Sequence, residues 1–188
     1  MRELFAAALA ALTLSSAAQA TIITGAVTAN GNYNPAATLS NLSDGITPAN
    51  GTGYNTPGQT VWWGGSNTFF TIDFGDLVSF DQALLSVDHN DNYLVSYSTD
   101  GVSFTDLFSV LRTEGTVNWG IEAFEKSFDA VTARYLRVSA SGGDNLFAVG
   151  ELHVTAAPPV TDVPEPAIVG LLGVGLAGVA ALRGRRRG

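Results

Sequence analysis

Between Thr21 and Asp162 the chain contains no long segment of 3.6-residue apolar periodicity, only short apolar or alternating runs divided by Gly, Asn, Asp and Ser. A chain patterned this way cannot build a helical core. Its apolar side chains reach a common interior only as strands, on which alternate residues face opposite ways. Strands are expected at Ile22 to Val27, Thr60 to Trp63, Phe69 to Phe74, Val78 to Val87, Tyr93 to Tyr97, Phe104 to Val110, Ile121 to Phe128, Arg134 to Ser139 and Glu151 to Thr155. In Arg134-Tyr135-Leu136-Arg137-Val138, Leu136 and Val138 share one face and Tyr135 and Arg137 the other, the mark of a half-buried strand. Ser98-Thr99-Asp100-Gly101 supplies the Asp-Gly pair of a tight hairpin turn. The strand count and spacing predict an all-β sandwich over residues 21–155.

The two ends of the chain are different in kind. Arg2, an apolar Leu4 to Leu14 and the small-residue site Ala18-Gln19-Ala20 predict a signal peptide over residues 1–20, with the mature chain starting at Thr21. After a Pro-containing spacer at 156–163 comes Pro164-Glu165-Pro166, an uncharged apolar run from Ala167 to Leu182, and the basic cluster Arg183, Arg185, Arg186 and Arg187. As a helix the apolar run reaches about 24 Å, a little short of a bilayer core of about 30 Å but enough for a thinner or locally thinned membrane. The arginines behind it resist translocation and hold the C-terminus in the cytoplasm. This three-part tail over 164–188 closely resembles the PEP-CTERM sorting signal of Gram-negative bacteria. The resemblance implies processing by an exosortase near Pro164-Glu165-Pro166. It also implies an inner-membrane-anchored precursor whose mature form goes to the cell surface or extracellular matrix, commonly beside exopolysaccharide.

Charge and redox chemistry narrow the partners. The chain has nine Lys and Arg against seventeen Asp and Glu, but five of the basic and two of the acidic residues lie in the terminal segments. The exported part keeps four against fifteen, a formal charge of −11 that excludes nucleic acid and anionic lipid as natural partners. There is no cysteine, so no disulfide framework supports the exported fold; a core, with or without a metal ion, must hold it.

Six stretches, in order, resemble the discoidin family, the coagulation factor 5/8 type C domains and related carbohydrate-binding modules. They are Leu42-Ser43-Asp44-Gly45, Thr60-Val61-Trp62, Phe70-Thr71-Ile72-Asp73-Phe74-Gly75, Tyr97 to Phe104, Ala133 to Val138, and Val149-Gly150-Glu151-Leu152-His153-Val154. The resemblance implies a galactose-binding-like jelly roll with binding loops at one end. Two departures stand out: the family's two Cys positions are absent, and residues 46–59 form a polar insertion rich in Gly, Asn and Thr.

The same resemblance implies a structural Ca²⁺, with Asp44, Thr60 and Glu151 on the matching positions; a cation of this size takes six to eight oxygens. Otherwise Asp44 caps a turn and Glu151 pairs with an arginine such as Arg134. For sugar binding, which needs an aromatic platform and planar polar groups, the expected residues are His89, Asn90, Asn92, Trp119, Asn145 and Phe147. Phe147 stands where relatives stack an aromatic on the ligand. The bland alternative is that Trp62, Trp63 and Phe147 are core and the Asx-rich loops only turn. Asp88 and Asp91 are a carboxylate pair of the kind glycosidases use, and His153 lies on a strand with no serine motif near it. Both read as structural, so the expectation is a non-enzymatic module that binds a polysaccharide. The rival is a surface scaffold or adhesion protein that recognises another protein through residues 46–59. If the tail is a sorting signal, Glu165→Ala abolishes processing and leaves the precursor in the membrane fraction; unchanged processing and location on immunoblots return it to a plain anchor.

Overall fold

The computed structural model describes residues 21–65 and 67–159. The expected signal peptide, the apolar run and the sorting tail lie outside the described residues, and within them no helix is long and apolar enough to cross a membrane. The elements are β1 (Ile22–Ile23), β2 (Ala26–Asn30), a short 3-10 turn (Leu39–Ser43), β3 (Val61–Gly64), β4 (Phe69–Asp88), β5 (Asn92–Ser98), β6 (Thr105–Val110), β7 (Ile121–Ser141) and β8 (Leu146–Ala156). All strand pairs are antiparallel.

Two long strands make the sandwich. The first part of β4 pairs with β2 and with the last part of β7, whose other edge takes β5 and then β6. The second part of β4 pairs with the first part of β7 and with β8, which also carries β1 and β3. Both strands change sheet where the register slips, between Asp73 and Val78 and again between Phe80 and Gln82. Bulges of this kind bend a strand and sharpen its twist. Gly75 (φ +85°) supplies the positive φ, and the Arg134 guanidinium clasps the bend, donating through Nε and Nη2 to the two Asp73 oxygens at 2.8 and 2.9 Å. That pairing holds the Asp73 carboxyl below the usual carboxylate range. It also means that Arg134 partners Asp73 and not Glu151.

Sequence-predicted strand pairs therefore fuse. Phe69 to Phe74 and Val78 to Val87 form one strand, as do Ile121 to Phe128 and Arg134 to Ser139, because a bulge interrupts alternation without ending the ladder. Alternation still selects the core. Phe70, Ile72, Val95, Leu136 and Val138 from one sheet meet Leu85, Val87, Val149, Leu152 and Val154 from the other, all fully buried. Expected Ile22 to Val27 instead breaks at Gly25, where a Cβ would sit 2.5 Å from the Asp73 carbonyl oxygen.

Glu151, fully buried on β8, ties the opening loop to the sandwich. Its carboxylate accepts the N–H of Asp44 at 3.2 Å and of Gly45 at 3.1 Å, and contacts His153 Nδ1 at 3.1 Å. A buried carboxylate is tolerated only with such partners. Glu151→Ala orphans both N–H groups and is expected to cost about 2–4 kcal/mol in urea-denaturation stability, with Glu151→Gln costing less. Loss of under 0.5 kcal/mol, roughly the noise of a neutral surface change, contradicts the tie.

Candidate functional site

The antiparallel topology gathers the end of β2, the β3–β4 and β4–β5 turns, the 111–120 loop and the β7–β8 turn at one end of the sandwich. The insertion joins them. Gly51 N–H donates to the Ile121 carbonyl at 2.8 Å and Ile121 N–H to the Thr52 carbonyl at 2.7 Å, while Asn50 Oδ1 accepts Ala123 N–H at 3.1 Å. Gly120 permits this approach: its φ is +80°, and a Cβ there would lie 2.4 Å from the Thr52 oxygen. The insertion is thus held against β7 as one wall of the loop end. Thr60, buried, stabilises it from within, its hydroxyl lying 2.8 Å from the Tyr54 carbonyl and 3.1 Å from that of Thr56.

A cleft of about 450 Å³ opens between this wall and the end of β2. Three half-buried rings, Tyr33, Tyr54 and Trp62, and three exposed amides, Asn32, Asn34 and Asn55, line it, with Gly64 and Leu146 at its edge and Trp63 buried in its floor. Asn34 N–H donates to the Trp62 carbonyl at 2.9 Å, fixing the β2 end against β3. Asn34 Oδ1 in turn accepts Ala36 N–H at 2.9 Å, so the side chain offers a ligand its Nδ2 donor. The floor is an aromatic cluster: Trp63 lies 4.8 Å from Phe70 and 5.6 Å from Phe147, centroid to centroid, and Tyr33 lies 6.1 Å from Phe70. Trp63 Nε1, a buried donor, makes no hydrogen bond within the described residues. Half-buried rings next to exposed planar amides suit a molecule with an apolar C–H face and many hydroxyls.

The sequence-predicted sugar residues sit elsewhere at the same end. Phe147 requires a correction. It lies inside β8, wholly buried against Trp63, so no face of its ring is open to a ligand. The loop expected around it is strand, because Leu146–Val149 pair with β3. His89 is half-buried beneath the 111–120 loop, with Nδ1 3.1 Å from the Gly120 oxygen, and Asn92 Oδ1 accepts Arg112 N–H at 3.0 Å. Both side chains fasten loops. Asn90 and Asn145 are exposed, and Asn145 (φ +69°) passes its carbonyl to Gly65 N–H at 3.1 Å. Trp119 is 65% exposed beside the insertion, its ring edge 3.4 Å from where a Gly53 Cβ would stand. None of the six lines the cleft. Tyr33, Tyr54 and their amides are not among the expected residues; their signal in the sequence is the repeated Tyr-Asn pair at Tyr33-Asn34 and Tyr54-Asn55.

The calcium expectation meets a donor set already in use. Both Glu151 oxygens accept N–H groups, Asp44 Oδ1 accepts Ile46 N–H at 2.8 Å, and Asp44 Oδ2 takes Asn41 Nδ2–H at 3.2 Å. The Thr60 hydroxyl serves the insertion. As arranged, Asp44, Thr60 and Glu151 direct these oxygens to protein partners, and among the described residues no group of three or more His, Cys, Asp and Glu is placed to hold a metal.

The Asp88 and Asp91 pair is closed off from solvent. Asp91 is fully buried, and Gly143 packs so closely on it that a Cβ would fall 1.8 Å from Oδ1. Among the described residues neither Asp91 oxygen has a hydrogen bond within normal reach, although the backbone N–H of Asp144 acts to steady the carboxylate. Burial first, then the charges of Asp144 and Asp88, push its carboxyl up to about 7; burial and Asp144 push Asp88 up to about 6. His89, which opposes the rise at Asp88, and buried Tyr93 complete the surroundings.

Residues 162–187 match the family model of the PEP-CTERM protein-sorting motif, so the chain carries that signal, which marks an exported protein sorted to the cell envelope. No curated protein matches the chain. Among solved structures, the chain resembles the CBM32 of AlyQ in complex with 4,5-unsaturated mannuronic acid (22% identity, TM-score 0.52, 71% of this chain and 97% of that one). It also resembles a pectin-binding carbohydrate-binding module (20%, 0.51, 74% and 95%) and the lectin domain of lectinolysin complexed with Lewis B antigen (13%, 0.57, 72% and 95%). At these identities the likeness establishes the fold, an all-β sandwich shared with CBM32 and discoidin-like domains.

Because folded Asp91 and Asp88 bind protons more tightly than the ordinary carboxylate value of 3.8, the stability they contribute is complete below about 4 and is lost as pH rises through about 6 to 7. The melting temperature is expected to fall between pH 5 and pH 8, and Asp91→Asn to flatten that fall. A melting temperature that rises over this range, with the same slope in the variant, contradicts the assignment.

Proposed function

We propose that the exported domain is a non-catalytic carbohydrate-binding module that holds a glycan in the cleft of Tyr33, Tyr54 and Trp62. The observation that carries this reading is the cleft itself, three half-buried rings facing three exposed amides at the loop end of the sandwich. The rings cover the C–H face of a pyranose, and Asn32, Asn34 and Asn55 meet its hydroxyls in a plane. Support also comes from the fold, which solved carbohydrate-binding modules share, and from the sorting motif over 162–187. Processing by an exosortase, with release to the cell surface or matrix, makes extracellular polysaccharide the ligand that such a module meets. Trp119, exposed beside the insertion, extends the aromatic surface available to a longer chain. The protein-scaffold alternative draws on the same insertion, whose Tyr54 and Asn55 line the cleft while Ile46 stands exposed at its start.

The cleft and Phe147 are separable by experiment. In calorimetric titration with the bound glycan, Tyr54→Ala and Trp62→Ala are each expected to weaken binding about tenfold or more at little cost in melting temperature, as loss of one aromatic contact of about 1.5 kcal/mol implies. Phe147→Ala instead destabilises the fold by about 3–5 kcal/mol. Full affinity in the Tyr54 and Trp62 variants removes the cleft from the reading.

A further inference from the structure

The cleft carries a selectivity in its charge distribution. Basic residues are few in the exported part, and the structure accounts for each. Lys126 pairs with Glu114 and Arg134 with Asp73. Arg137 is stacked between two rings, 4.2 Å from the Phe69 centroid and 3.7 Å from that of Phe104. Arg112 stands in the 111–120 loop, on the Asn92 side of the loop end, where its N–H meets Asn92. None of the four lines the cleft. The charges beside the cleft are carboxylates. Asp144 Oδ1 accepts the N–H of Leu146, a residue of the cleft edge, at 2.9 Å, and Asp88 and Asp91 interact with Asp144 from behind the same turn.

We infer that the cleft selects uncharged saccharides and rejects uronates, an inference that rests on the carbohydrate reading above. A uronate carboxylate entering it exchanges water for neutral amides and phenols and lies near a negative rim, with no Lys or Arg to offset the loss of hydration. A neutral pyranose makes the same ring and amide contacts without that cost. The whole exported surface acts in the same sense, since fifteen acidic against four basic residues repel a polyanion before contact. The fold it shares with a module solved with 4,5-unsaturated mannuronic acid and with a pectin-binding module does not transfer their charge preference, because charge is set by the loops.

The test is calorimetric titration of the full chain in detergent with length-matched neutral galactan or cellulose tetrasaccharides and with tetragalacturonate or tetramannuronate. It is run at about 0.02 and 0.5 M NaCl, where Debye lengths are about 20 and 4 Å. Expected is binding of a neutral tetrasaccharide, uronate binding weaker by about tenfold or more at low salt, and a gap that narrows at high salt. Asn55→Lys, which places a cation on the exposed cleft rim, should raise uronate affinity while leaving the fold intact by circular dichroism. Uronates that bind as tightly as neutral sugars, with no response to salt or to Asn55→Lys, overturn the selectivity and leave the carbohydrate reading standing. Failure of every tetrasaccharide to bind removes both.

Discussion

The packing of Trp63 between Phe70 and Phe147 is the contact on which both fold and site depend. Phe70 belongs to the sheet of β2, β5 and β6, whereas Trp63 and Phe147 belong to strands on the β8 side, so the cluster joins the two layers of the sandwich at its loop end. With no cysteine to brace the loops, buried aromatic area must do it. The same cluster is the cleft floor, and Tyr33 leans on it from β2's end. A packed floor of this kind lowers the ordering cost of the ligand recognition proposed for the cleft.

Two further ties keep the walls in place. Backbone bonds from Gly51 and Thr52 to Ile121 dock the insertion on β7. The buried carboxylate of Glu151 gathers the turn before that insertion onto β8. The ladder around them runs through β4 and β7, each of which serves both sheets, so displacement of either strand is felt across the core. The cluster of Asp88, Asp91 and Asp144 works against this order as the pH rises, and Gly143, which alone fits over Asp91, shows how tightly the β7–β8 turn is closed.

Much of the architecture was legible because period-2 alternation and turn residues are local signals. Phe70 and Ile72, or Leu136 and Val138, declare their inward face in sequence. The fusion of strands through β4 and β7 was not legible, since a bulge looks like a strand end when only alternation is read. The site was less legible still. Tyr33 and Tyr54 lie 21 positions apart and line one cleft only because the insertion folds back along β7. Phe147 was misread for a related reason: a ring next to a polar Asp-Asn turn resembles a loop aromatic until pairing with β3 shows that the strand has already begun. Of the expected sugar residues His89, Asn90 and Asn92, two spend their side chains on neighbouring loops, a use that sequence order does not declare. At the tail the sequence was sufficient, because a sorting motif is read as linear order, and residues 162–187 match it.

These features describe an acidic, envelope-sorted sandwich whose uncharged aromatic cleft is the recognition element proposed for it. The most direct test of that claim is a crystal structure of the chain with a neutral oligosaccharide that it binds. The account predicts a pyranose seated between Tyr33, Tyr54 and Trp62, with Asn32, Asn34 or Asn55 on its hydroxyls. A sugar bound instead at the turn of His89 and Asn90, or on Trp119 alone with the cleft empty, would contradict it.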